Sequence, residues 1–418
     1  MRFMLPVYPK LLALRQDGVN ILCPRLESNG PVIQIRLPLH MPWTTIEYAP
    51  LLDTSVFIRS VNMPLRCGLI GRPQCGKTTV FNAVTAAHAP MFDAAEAHRA
   101  TVAIPDQRVA QLVELYSPAK ISPSSMDLVD IPGLEEGATV EGGRGSKLLT
   151  HIKEADVLIH VVRCFENGHG PVDIIHDVEL VDLELMSADS QTLERKIERI
   201  AKRARSGDKT ASQDSENCQR VLNRLHDGIP VRRQDLSDSE QESVFECTLM
   251  SLKPVLYVAN VAGSEDLDSD AVKDLRAYGA DEGSELVSIC GRDEADISDL
   301  PAEERGEFLS ELGVHEPAVE RLIHAAYREL GLVDFFTAGD KEVHVWTCRA
   351  GSKAPIAAGK IHTDMERGFI RMEVIAYDDL IELGSEEAVA KAGKLRLEGK
   401  EYEIRNGDIV VIRFSPPR

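Results

Sequence analysis

The chain has 418 residues, with 47 Lys and Arg against 67 Asp and Glu and a net charge of -20. That length accommodates two or three domains with proper cores, and no run of about 18 apolar residues exists to span a membrane. An acidic chain does not bind nucleic acid through bulk charge, so any such contact needs a local basic patch.

Residues 1–62 carry Pro6, Pro9, Pro24, Pro31, Pro38, Pro42 and Pro50, which interrupt every apolar run before it shows a period. They read as a disordered extension, or as a start assigned too early, with Met63 heading the first strand. The apolar run Leu65–Ile70 then leads into Gly71-Arg72-Pro73-Gln74-Cys75-Gly76-Lys77-Thr78, which fits G-x-x-x-x-G-K-[ST]. Gly71 and Gly76 let the backbone fold around an anion, and the helix from Thr79 onward adds its N-terminal partial charge. Lys77 is expected on the outer phosphates and the Thr78 hydroxyl on Mg²⁺. The eight cysteines are scattered, with no C-x-x-C and no metal spacing, which suggests a reducing compartment.

Further strands are expected at 126–130, 157–162, 254–259 and 286–290, with helices between them. This is an α/β pattern with a mainly parallel, doubly wound sheet, whose ligand belongs at the carboxyl ends of the strands. Asp130-Ile131-Pro132-Gly133 sits at such an end, Asp130 placed for Mg²⁺ and Gly133 for the terminal phosphate. The glycines at 137, 142, 143 and 145 suit a switch loop. Leu134 stands where many GTP-hydrolysing switches carry a water-orienting Gln, so help must come from elsewhere. His169, in a glycine-flanked loop, is one candidate, and a solvated loop histidine is the plainer reading. Asn260-Val261-Ala262-Gly263 ends the fourth strand where the base is read, without the acid that selects guanine. Ser288, Cys290 and Gly291 can add backbone contacts to the base.

Residues 181–251 read as an inserted antiparallel helical hairpin, from Leu193, Ile197, Ile200 and Ala204 and then Cys218, Val221, Leu222 and Leu225 at helical spacing. Arg195, Lys196, Arg199, Lys202, Arg203 and Arg205 give it a basic face, either simply solvated or in contact with RNA. An amphipathic helix over 319–330 closes the α/β domain, assigned to 63–180 and 252–331. From 332 to 418 the period is mostly two, a small β-rich domain with a helix over Glu386–Lys391. His362, Asp364 and Glu366 alternate like metal ligands but read as polar loop or strand residues.

These motifs resemble the Obg-like ATPase, or YchF, family of P-loop NTPases. The resemblance rests on Gly71–Thr78, Asp130-Ile131-Pro132-Gly133-Leu134, His160–Asn167, Tyr327 with Phe335–Gly339, and Ala358–Asp364, and covers 63 to about 415. It implies a G domain, a helical arm and a C-terminal TGS domain of β-grasp shape. It also implies ATP in preference to GTP, Mg²⁺, association with ribosomes, and rRNA contact through the arm or the TGS domain. A cytoplasmic monomer that hydrolyses the terminal phosphate is the expected protein. Three positions depart from the family. Gly263 stands where it carries Glu, with Glu265 two residues on. Gln74-Cys75 replace the Asn-Val associated with potassium-assisted hydrolysis, so potassium dependence is not expected. The first-switch segment, Ala94–Pro105, is shortened and leaves Thr101 as its Mg²⁺ ligand. The alternatives are a GTPase of the same type, a nucleotide-gated binding module without turnover and, more weakly, a P-loop kinase.

Overall fold

The computed structural model divides into two compact units, Met1–Phe57 and Ile58–Arg418. It describes residues 65–85, 97–134, 144–166, 172–300, 304 and 316–415, together with the backbone at 20–21, 25–27, 30–36 and 44–47. In the first unit β1 (Asn20–Ile21), β2 (Arg25–Glu27) and β4 (Thr44–Glu47) each pair antiparallel with β3 (Gly30–Arg36). Short paired strands therefore stand where an extension without structure was expected, and Pro24, Pro38 and Pro42 fall between them.

The second unit begins with β5 (Leu65–Ile70), α1 (Lys77–Thr85), β6 (His98–Ala103), α2 (Gln107–Tyr116), β7 (Lys120–Ser122) and β8 (Ser125–Asp130). It continues through α3 (Arg144–Glu154), β9 (Val157–Arg163), α4 (Ile174–Arg205), α5 (Lys209–His226) and α6 (Asp238–Val244). Then come β10 (Val255–Asn260), α7 (Asp270–Glu282), β11 (Leu286–Ile289), α8 (Gly291–Asp299) and α9 (Ala318–Glu329). The sheet order is β11-β10-β9-β5-β8-β6. Every pair is parallel except β6 with β8. β9 and β10 are buried almost throughout, and mostly apolar, because the sheet is covered on both faces. On one face Val80, Phe81, Leu322 and Ile323 pack on Leu69, Val161 and Val258. On the other, Ile152, Val178, Val181, Leu185 and Leu275 pack on Ile70, Leu158 and Tyr257.

The helical hairpin is present as α4 and α5, but α4 starts at Ile174 and runs 32 residues without a break, about 48 Å. Its first half is core of the α/β domain, with Val178, Val181 and Leu185 fully buried, so the arm grows out of a domain helix. The basic face needs one correction. Lys196 falls on the buried stripe with Leu193 and Ile200, where its Nζ donates to the Ser243 carbonyl and lies 3.5 Å from Asp214 Oδ2.

A second sheet is built from β12 (Leu332–Thr337), β13 (Glu342–Arg349), β14 (Phe369–Ala376), β15 (Arg396–Glu398) and β16 (Asp408–Phe414). Its order is β15-β14-β16-β12-β13-β7. β7, from the middle of the α/β domain sequence, forms its edge, parallel to β13. α2 goes with it: Leu112 is fully buried among Phe336, Val343, Ile375, Leu380 and Ile409. The stripe Val109, Leu112, Leu115 and Tyr116 on α2 finds its apolar partner on this sheet. Residues 107–122 thus pack with the C-terminal domain, although the sequence assigns them to the α/β domain. His362 caps a short helix, Thr363–Arg367, its Nδ1 accepting from Asp364 N at 3.1 Å. Among the described residues no group of three or more His, Cys, Asp or Glu is placed to hold a metal.

Candidate nucleotide site

The loop between β5 and α1 has the backbone that its glycines were expected to provide. Gly71 and Gly76 have φ of 146° and 91°, a region that costs an L-residue dearly. Space forbids a side chain as well. A Cβ on Gly71 would run into the Val161 carbonyl, and one on Gly76 into the Asn260 amide. Gln74 is left-handed too, with φ of 62°. Pro73 and Gln74 are exposed at the crest, while Cys75 is buried beneath and its thiol is pushed up by burial. Lys77 Nζ reaches back across the loop to the carbonyls of Gly71 at 3.2 Å and Arg72 at 3.0 Å. Arg72 is 3.7 Å from Asp177 in the first turn of α4.

The end of β8 closes on this loop. Thr78 Oγ1 donates to Asp130 Oδ2 at 2.7 Å. Burial pushes the Asp130 carboxyl up, opposed by the Thr78 hydrogen bond and by the charges of Lys77 and His98. Asp130 Oδ1 is buried and has no hydrogen-bond partner. A hydroxyl beside an orphaned carboxylate oxygen is a hard donor set that fits Mg²⁺. Leu134 N donates to Gly71 O at 3.2 Å, and Gly133 lies so close to Pro73 that a Cβ would come within 2.9 Å of its nitrogen.

Asn260 joins three segments. Its Nδ2 donates to Cys75 O at 2.9 Å, and its Oδ1 accepts from Gly291 N at 3.2 Å. Both amide atoms are thereby engaged inside the protein, so Asn260 acts as a brace between the phosphate loop and α8. Gly291 packs closely against Thr79, where a Cβ would be 3.3 Å from Cγ2. Val261 is buried with its N–H on Ile289 O at 2.9 Å, and Ser288 gives its carbonyl to Arg321 Nη1 at 2.7 Å. Cys290 Sγ donates to Ala262 O at 3.4 Å, and burial pushes its thiol up to about 11. Glu265 folds back over Gly263, its Oε2 taking space that a Cβ there would fill.

Three expectations fare differently. Leu134 is buried in the cluster of Ile70, Ile131, Leu148 and Ile152, so its place is the apolar core and not the reacting atoms. Thr101 is not brought to Thr78 and Asp130. It stands opposite Asp127 in the β6–β8 register and donates to Asp127 Oδ1 at 2.7 Å. Asp127 is three residues from Asp130, so the two project from opposite faces of β8. His169 lies outside the described residues.

The residue that register does place opposite Asp130 is His98. It was missed because the register of an edge strand is not written in its sequence. His160 is core, beside Tyr257 at a ring separation of 5.6 Å, and burial lowers it to about 4. No helix among the described residues is long and apolar enough to cross a membrane.

Known proteins match this arrangement along most of the chain. Residues 66–206 match the family described as 50S ribosome-binding GTPase, and residues 332–415 match YchF-GTPase_C, described as a protein of unknown function. The chain is 40% identical over 365 residues to the ribosome-binding ATPase YchF of Bacillus subtilis, covering 84% of this chain and 100% of that protein. The Escherichia coli O157:H7 protein of the same name is 41% identical over 363 residues, with the same coverage. The solved structure of the Schizosaccharomyces pombe YchF GTPase superposes with a TM-score of 0.72 at 30% identity, over 84% of this chain and 97% of that one.

Proposed function

The chain belongs to the YchF family of Obg-like P-loop NTPases, and from that premise we propose that it is a Mg²⁺-dependent hydrolase of ATP, preferred over GTP, working as a ribosome-associated switch. The convergence of Lys77, Thr78 and Asp130 under one glycine loop carries the reading. Backbone N–H groups of the loop bind the phosphates, and Lys77 exchanges its two carbonyl partners for phosphate oxygens. Thr78 and Asp130 would hold Mg²⁺, which when bound would supply charge neutralisation at the terminal phosphates. Gly133, pressed on Pro73, places the backbone after β8 at the phosphate loop. Association with the ribosome comes from the names of the relatives, and rRNA contact fits the exposed cations Arg195, Arg199 and Lys202 on α4.

A second reading has one observation in its favour. Because Leu134 is sealed in the core, no side chain at that position orients water, which suits a nucleotide-gated binding module without turnover. Phosphate release from ATP and GTP, measured for the full chain and for Lys77→Ala, separates the two. Turnover that Lys77→Ala abolishes supports the hydrolase; no turnover in either, with calorimetric binding intact, supports the module. Tighter GTP than ATP binding would overturn the base preference.

A further inference from the structure

Two buried polar atoms at the end of the β6–β8 pair have no hydrogen-bond partner: Asp130 Oδ1 and His98 Nε2. Their residues are directly opposite in the antiparallel register, so their side chains leave the same face of the sheet with Cβ atoms about 5 Å apart. That face is the one on which α1 packs, and the His98 ring lies against Phe81 of α1 at a centroid separation of 6.4 Å. The other oxygen of Asp130 is already engaged by Thr78. Buried groups of this kind are nearly always satisfied, and two of them on directly opposite residues of one sheet face point to something polar that both contact.

We infer that His98 is a positioning residue of the nucleotide site, its Nε2 holding a water in the hydration shell of the Mg²⁺ that Thr78 and Asp130 ligate. This rests on the hydrolase reading above. A direct bond is the poorer assignment, since Mg²⁺ takes oxygen ligands and keeps several of its waters. A ring nitrogen beside such a water fixes its orientation, as outer-shell partners do for metal sites generally. Thr101, three positions along β6 and so on its opposite face, cannot serve.

The experiment compares ATP affinity in Mg²⁺ with that in EDTA, by calorimetry on the full chain, for the wild type, His98→Ala and His98→Gln. The affinity in EDTA reports the fold and the phosphate loop and is expected to be unchanged. The gain on adding Mg²⁺ is expected to fall about tenfold in His98→Ala. His98→Gln, whose amide nitrogen stands near the position of Nε2, is expected to recover most of it. Electron spin echo spectra of the Mn²⁺–ATP complex should lose a nitrogen modulation in His98→Ala. If His98→Ala keeps the full Mg²⁺ gain, the inference is overturned. Should His98→Ala lose its affinity in EDTA, its fold is at fault and the Mn²⁺ spectrum of His98→Gln decides: a nitrogen modulation altered from that of the wild type supports the role, and an unchanged spectrum overturns it. A wild type that binds neither ATP nor GTP in either buffer would overturn the hydrolase reading itself.

Discussion

Replacing Asn260 tests whether this site is held together by one side chain. In Asn260→Ala the Cys75 carbonyl loses a donor at 2.9 Å and the Gly291 N–H loses an acceptor at 3.2 Å. Both bonds are buried, and an unsatisfied buried group costs about 1–3 kcal/mol. The variant should therefore be about 2–6 kcal/mol less stable, read as a fall in the urea midpoint at unchanged slope. The same bonds hold the phosphate loop against α8, so losing them lowers the fraction of molecules with a formed loop. Each 1.4 kcal/mol of that loss weakens apparent nucleotide affinity by about tenfold. Asn260→Asp sharpens the test, because it keeps the acceptor for Gly291 but turns a carboxylate oxygen on the Cys75 carbonyl. It should lose nucleotide affinity at least as severely as Asn260→Ala. If both variants keep stability within about 0.5 kcal/mol and bind nucleotide as before, the bracing argument fails.

Leu134→Gln restores the residue type that orients water in many GTPases, yet here it places an amide among Ile70, Ile131 and Ile152. We expect a loss of about 1–3 kcal/mol and no gain in phosphate release; a faster enzyme of unchanged stability would contradict the buried placement. His160 supplies a pH test. Its folded-state value is lowered from 6.5 to about 4 by burial, so unfolding takes up a proton over that window. Stability should fall as pH drops from about 6.5 to 4, by as much as about 1.4 kcal/mol per pH unit. His160→Leu should flatten that slope in urea titrations, and an unchanged slope would assign the acid sensitivity to other groups.

The parallel strands were legible because β9 and β10 are buried on both faces and read as apolar runs, broken within β9 only by His160. The phosphate loop was legible because its glycines are demanded by positive φ and by close contacts with Val161 and Asn260. Lys196 could have been placed from spacing, since 193, 196 and 200 form one helical stripe, but its charge outweighed its position. Thr101 and His98 could not be told apart, because choosing between them needs the β6–β8 register, which two strands decide together. The role of Asn260 was half visible: its position at a strand end was read correctly, while its two internal bonds depend on α8, distant in sequence. Glu265 shows the same limit, as only the turn at 264–266 brings its carboxylate onto Gly263.

The path of residues 103–125 bears on how a switch in this chain would be felt. β6 and β8 carry His98 and Asp130, and the chain between them does not cross back directly. It leaves Ala103, forms α2 on the C-terminal sheet, contributes β7 to the edge of that sheet, and returns at Ser125. Along the way it is anchored repeatedly. Arg108 donates to Asn406 Oδ1 at 2.9 Å, Ala119 N to Asp340 O at 3.0 Å, and Lys120 and Ser122 both to Glu342 Oε1 at 2.7 Å. Ser124 meets Thr347 at 2.9 Å and Tyr327 at 3.2 Å. Leu112, fully buried, adds an apolar anchor worth about 2–5 kcal/mol by truncation. A displacement of His98 or Asp130 on binding a nucleotide therefore acts on a segment bonded into the C-terminal domain at both ends. Packed elements of this kind shift between discrete arrangements and do not stretch. The coupling free energy between the nucleotide and whatever the C-terminal sheet contacts is then set by how differently these anchors are made in the two states.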